Sequence, residues 1–130
     1  MIGHPISRED KEKLFRYHKE CVEKTGVDEK LVDESQLGQY PEEPEFKEYT
    51  FCLSKRLGLQ NEAGEFQMEA VKAQLSKHIQ DSAEVDKLIE TCVVQKDSPI
   101  ESAYNTFKCY HDSSSHVDMF YVSIFCNRQL

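Results

Sequence analysis

No stretch of this 130-residue chain approaches the roughly 18 consecutive apolar residues that a bilayer crossing needs. Basic charge is also scarce. Sixteen Lys and Arg stand against 24 Asp and Glu, for a formal net charge of -8 and a pI near 5.1. No Lys/Arg patch is dense enough to reverse the resulting repulsion from phosphate backbones and anionic lipid, which argues against nucleic-acid binding and membrane insertion. A glycine-rich phosphate loop and a G-x-S-x-G nucleophile motif are missing. Asn61 to Gly64 imitates the turn of an EF-hand, but counting back puts Leu59 where the first calcium ligand must stand. Paired acids such as Glu42-Glu43 read as solvated surface. Neither an enzyme nor a cofactor is expected. No internal repeat and no low-complexity tract interrupts the chain.

No secretory leader opens it either, since Met1-Ile2-Gly3-His4-Pro5 runs at once into the charged Arg8-Glu9-Asp10-Lys11. Two expectations follow: a cytosolic protein, or a mature secreted chain carrying a starting Met. Five cysteines are more than a cytosolic chain of this length usually has, and they favour the secreted, extracellular alternative. At 38% apolar and 31% charged residues the chain is neither a membrane protein nor a disordered tail. Its length fits one domain over 1–130.

The apolar residues recur at helical spacing almost throughout. Ser7 with Asp10 reads as a helix start, and Leu14, Phe15, His18, Cys21 and Val22 form the stripe that follows. Gly26 ends it. Residues 28–37 give a shorter segment facing inward with Leu31 and Val32. After the break at Tyr40-Pro41-Glu42-Glu43-Pro44, Phe46, Tyr49, Cys52, Leu53 and Leu57 mark a third helix, closed by Gly58. Met68, Val71, Leu75 and Ile79 mark a fourth. Asp81 and Glu84 start a fifth, whose face is Val85, Leu88, Ile89, Cys92 and Val93. Ser98-Pro99-Ile100-Glu101 is a cap, a first-turn proline and a capping-box glutamate, opening a sixth helix lined by Ile100, Ala103, Tyr104, Phe107 and Tyr110. Residues 111–115 are polar. Beyond them Val117, Phe120, Tyr121, Ile124 and Phe125 suit a seventh helix, while Phe120, Val122 and Ile124 alternate as a strand would. The fold class is all-α, a compact bundle of six or seven short helices.

Cys21, Cys52, Cys92 and Cys109 lie where paired helices could be stapled. Four cysteines allow three pairings, among which spacing does not choose. Here the residues meet a family. Cys52-Leu53-Ser54-Lys55-Arg56-Leu57-Gly58-Leu59, running into Ala63-Gly64-Glu65-Phe66, resembles the third-cysteine region of insect odorant-binding proteins. Ala103-Tyr104-Asn105-Thr106-Phe107-Lys108-Cys109 is similar to the approach to that family's sixth cysteine. The family's second and fifth cysteines, bonded to each other, fall on Glu48 and Ile100. Both are missing together, as in the minus-C branch with two disulfides. The resemblance covers roughly residues 7–112.

It implies disulfides Cys21–Cys52 and Cys92–Cys109. Closing loops of about 32 and 18 residues would contribute roughly 3–4 kcal/mol each. It implies a secreted carrier that solubilises a small hydrophobic ligand (an odorant, pheromone, fatty acid or other lipid) in an internal apolar pocket. A membrane receptor or a second copy of the chain is a further candidate partner. The expected pocket residues are Phe15, Tyr49, Thr50, Phe66, Met68, Val71, Leu75, Leu88, Tyr104, Phe107, Phe120 and Phe125, with Tyr49, Thr50 and Tyr104 as polar anchors. The competing reading of each is plain: core packing for the apolar ones, and for Thr50 a hydrogen bond back to its own helix.

The apolar C-terminal tail, 118–126, would serve as lid, inner wall, permanent seal or dimer contact. Cys126 lies outside the two-disulfide framework, as a free thiol, an intermolecular bridge or an alternative mate. From it comes a second hypothesis, an interaction module or disulfide-linked dimer using the tail. A third is a reduced cytosolic bundle. His111 and His116 flank the tail's hinge and suggest pH-gated release. His18 and Cys21 sit three apart on a helix, but no second ligand pair stands at zinc spacing, so no metal is expected.

Overall fold

The computed structural model describes residues 8–37, 39–77 and 79–113. It contains α1 (Arg8–Thr25), α2 (Glu29–Gln36), α3 (Pro44–Arg56), α4 (Met68–Ser76), α5 (Ser82–Cys92) and α6 (Pro99–Ser113). Among the described residues the only extended pairing is a single bridge between Gln60 and Phe66. The all-α expectation holds. The seventh helix, or strand, expected beyond residue 116 lies outside the described residues.

Local chemistry sets the boundaries. The Asp28 carboxylate accepts from the Lys30 N–H at 2.9 Å and caps α2, and Asp81 does the same for Ala83 at the start of α5. Before α6, the Ser98 hydroxyl accepts from the Glu101 N–H at 3.1 Å, with Pro99 as first helical residue. Gly58, at φ +77°, turns the chain out of α3 in a conformation that L side chains avoid. One boundary differs from the sequence pattern. Helix α4 stops at Ser76, yet Ile79 stays 2% exposed because its N–H bonds back to the Leu75 carbonyl at 3.0 Å.

The helices pack in the spatial order α1–α3–α6–α5–α4, and this order divides the interior in two. One cluster joins α1, α2, α3 and α6 through Leu14, Val27, Val32, Phe46, Tyr49, Leu53 and Tyr104, with Cys21 and Cys52 among them. The second joins α4, α5 and α6 through Val71, Leu75, Ile79, Val85, Leu88 and Tyr110, with Leu59 from the loop before α4. Leu57 and Phe107 are half-buried and pack against both.

Each cluster carries one disulfide. Cys21–Cys52 ties α1 to α3 with Cα atoms 5.8 Å apart, and Cys92–Cys109 ties α5 to α6 at 5.3 Å. These are the pairings implied by the resemblance. Glu48 and Ile100, where a third bond would stand, lie on α3 and α6. One residue along from each, Lys47 Nζ donates to Glu101 Oε2 at 3.0 Å, so an ion pair joins the same two helices. That hydrogen bond raises the Lys47 pKa above its ordinary value.

The loop from Leu59 to Gln67 is fixed by close approach. The Gln67 N–H donates to the Leu59 carbonyl at 2.8 Å. Gly64 sits at φ +86°, and a Cβ there would fall 2.3 Å from the Pro99 Cβ and 2.8 Å from its Cα. Only glycine fits both the backbone angle and the gap. The Gly64 carbonyl accepts from Gln60 Nε2 at 3.0 Å and from Gln95 Nε2 at 3.2 Å, and Gln60 Nε2 also donates to the Pro99 carbonyl at 3.3 Å, which docks the loop on the start of α6.

Candidate functional site

An apolar cavity opens within the second cluster. Leu59, Val71, Gln74, Leu75, Leu88, Cys92, Val93, Thr106, Phe107 and Tyr110 line it. Helical spacing makes the wall: Val71 and Leu75 sit one turn apart on α4, Leu88 and Cys92 one turn apart on α5. From α6, Thr106, Phe107 and Tyr110 close it. Thr106 offers little polarity, because its hydroxyl donates to the Cys92 carbonyl at 3.1 Å. Such a wall attracts hydrocarbon. Room for the centre of a water-sized sphere amounts to about 50 Å³.

Four of the expected pocket residues meet here: Val71, Leu75, Leu88 and Phe107. The others lie elsewhere. Tyr49 and Tyr104 are buried in the first cluster. The Thr50 hydroxyl bonds the Lys47 carbonyl at 2.6 Å, which is the local alternative to a ligand anchor. Phe15 is half-buried on α1, its ring 6.2 Å from that of His18. Phe66 belongs to the bridged loop, and Met68 is 47% exposed at the start of α4. Neither lines this cavity. Phe120, Phe125, Cys126 and His116 lie outside the described residues, as does the surface on which the dimer hypothesis rests.

Six lining residues were not among those expected. Val93 and Tyr110 fell on recognised apolar stripes, and Leu59 stood in the motif-bearing stretch. Cys92 stands on the apolar face of the fifth helix and carries the disulfide, but is not among the expected pocket residues. Gln74 and Thr106 are polar, so hydropathy could not mark them, although Gln74 follows Val71 at helical spacing.

His18 has a structural task. It is wholly buried, with Nδ1 2.7 Å from the Tyr49 hydroxyl and Nε2 2.7 Å from Glu29 Oε1, pinning α2 against α1 and α3. Among the described residues no three His, Cys, Asp or Glu side chains gather to hold a metal ion. No described helix is long and apolar enough to cross a membrane. One buried hydroxyl, that of Tyr104, has no hydrogen-bond partner among the described residues, and burial raises its pKa above the ordinary tyrosine value.

The two-disulfide helical bundle with a hydrocarbon-lined cavity agrees with what comparison finds. The PBP/GOBP family pattern matches residues 4–113. The chain belongs to that family. It is 31% identical over 104 residues to the B1 protein of Tenebrio molitor, covering 80% of each. Its fold matches the THP12 carrier protein from yellow meal worm with a TM-score of 0.62 at 30% identity, covering 85% of this chain and 94% of that one. It also matches odorant binding protein 7 from Anopheles gambiae, which has four disulfide bridges and was solved in complex with an azo compound. There the TM-score is 0.68 at 28% identity, covering 95% and 96%. With two disulfides among its described residues, this member of the PBP/GOBP family is consistent with the minus-C branch.

Proposed function

We propose that this protein carries a small hydrophobic ligand in the cavity between α4, α5 and α6, with Val71, Leu75, Leu88 and Phe107 as its principal contacts. One observation carries the choice of site: this wall is hydrocarbon on three helices, and its polar members are few. The meal worm carrier and the Anopheles complex support the same reading by kinship. Secretion fits as well, since two disulfides belong to an oxidising compartment.

Ligand pockets ordinarily offer about 300–1,000 Å³, so the cavity must widen as it fills. Phe107, packed against both clusters, is the side chain placed to yield. The test is displacement of a fluorescent apolar dye by 1-decanol, in the natural chain and in Val71→Phe. Circular dichroism and Tm check that the variant keeps its fold. Filling the wall should weaken decanol by about tenfold or more, roughly 1.4 kcal/mol of lost burial. A folded variant that binds decanol like the natural chain would place the ligand elsewhere.

A further inference from the structure

The two disulfides stand in different surroundings. Cys21 and Cys52 are 0% and 7% exposed, and both belong to the first core cluster. In the second pair Cys92 is 5% exposed, but Cys109 is only half-buried. A groove beside it gives about 700 Å³ to the centres of water-sized spheres, and Thr91 and Ser113 are in its lining. Those two residues also touch the bond. The Ser113 hydroxyl lies 3.7 Å from Cys109 Sγ and 3.9 Å from Cys92 Sγ, and the Thr91 carbonyl lies 3.8 Å from Cys109 Sγ. A small molecule in the groove therefore stands next to the outer sulfur.

The inner sulfur belongs to the ligand site. Cys92 lines the apolar cavity, and its bond to Cys109 ties α5 to α6, two of the three helices that form the wall. Leu88 comes from one side of that tie and Phe107 from the other. Slack between α5 and α6 would change the cavity's shape. It would leave the first cluster closed, because Cys21–Cys52 and Tyr104 hold α1, α3 and α6 together there.

Resting on the carrier reading above, we infer that Cys92–Cys109 is a reductively cleavable latch on the cavity, opened by a dithiol while Cys21–Cys52 stays closed. The thiolate of the reductant attacks Cys109 Sγ. The S–S bond breaks with its electron pair passing to Cys92 Sγ, which takes up a proton. The second thiol of the reductant then attacks the mixed disulfide, frees Cys109 as a thiol and closes into a cyclic disulfide. The protein gains two electrons and two protons, and the dithiol loses the same. With α5 held to α6 by packing alone, the wall loses its preorganisation and the ligand leaves. The core disulfide is spared because a thiolate reaches it only when the first cluster opens, a rarer event than local exposure of Cys109. Such a carrier keeps its cargo in an oxidising fluid and gives it up where dithiols are abundant.

The full chain is first alkylated with iodoacetamide, so that any thiol free beforehand, Cys126 included, carries a separate label. It is then held in dithiothreitol for graded times, quenched with N-ethylmaleimide and mapped by peptide mass spectrometry. Cys92 and Cys109 should take the second label at least about tenfold faster than Cys21 and Cys52. With 2-mercaptoethanol instead, the mixed disulfide should sit on Cys109 and not on Cys92. At the stage where only this pair is reduced, 1-decanol should bind about fivefold more weakly or worse, with helicity by circular dichroism retained. Equal rates for the two pairs, or Cys21 and Cys52 labelled first, would overturn the proposal. So would selective reduction that leaves decanol affinity unchanged, or that abolishes helicity along with binding. A natural chain that never binds decanol would overturn the carrier reading and the release step with it, while the order of labelling would still decide which bond is the cleavable one.

Discussion

Replacing Tyr104 by Phe should stabilise the protein, although it removes a polar group from a well-packed aromatic cluster. The ring is 4% exposed and stands edge-on to Phe46 and Tyr40, at 6.2 and 5.9 Å. Lys47 Nζ lies 4.9 Å from its centre. Phenylalanine keeps all of these contacts. What it loses is a hydroxyl that folding strips of water and leaves without a described partner. Such a group costs about 1–3 kcal/mol, so the variant should gain roughly 1 kcal/mol, or about 3–5 °C in Tm for a chain of this size. The gain should also depend on pH with a definite sign. Burial raises the folded-state pKa of Tyr104 above its ordinary value of 10. Between the unfolded and folded pKa values the native state holds more protons, so stability falls as pH rises. That loss is absent from the variant. Urea denaturation should therefore show a constant advantage for Tyr104→Phe below about pH 9, widening above pH 10. Lys47, raised by its bond to Glu101, adds an alkaline decline of the same sign to both proteins. A variant destabilised by about 1 kcal/mol at neutral pH would mean that the hydroxyl is satisfied after all.

Two further perturbations test the frame around the cavity. Replacing Cys92 and Cys109 together by Ser opens a loop of sequence separation 17 and should cost about 3 kcal/mol by chemical denaturation. The larger loop of Cys21–Cys52, separation 31, should cost roughly 0.5 kcal/mol more; equal stability of either reduced pair and the natural chain would contradict this. Gly64→Ala should lose about 2 kcal/mol or more, combining left-handed strain with the collision against Pro99. An unchanged Tm would show that the loop is free to move away from α6.

The helices were legible where their boundaries rest on local chemistry: Asp28 and Asp81 as caps, Pro99 after Ser98, Gly58 at the close of α3. The disulfide pairing was not legible from spacing and came with the family resemblance. The site was half legible, for a physical reason. Helical periodicity marks which face of a helix turns inward, but not which neighbour it meets there. Tyr49 on α3 and Val71 on α4 carry the same inward signal, yet one faces His18 and the other a cavity. Tyr104 and Phe107 sit one turn apart on α6, yet Tyr104 is buried in the first cluster while Phe107 packs against both and lines the cavity, because α6 is the helix shared by both. Gln74 was silent for the opposite reason: a polar side chain at a wall position has no hydropathic signature.

The most direct test is to locate bound ligand by nuclear Overhauser contacts between the alkyl protons of decanol and the methyl groups of methyl-labelled protein. Contacts are expected to Val71, Leu75 and Leu88, and none to Leu14, Val32 or Leu53. Contacts confined to the latter set would place the ligand in the α1–α3 core and contradict this placement.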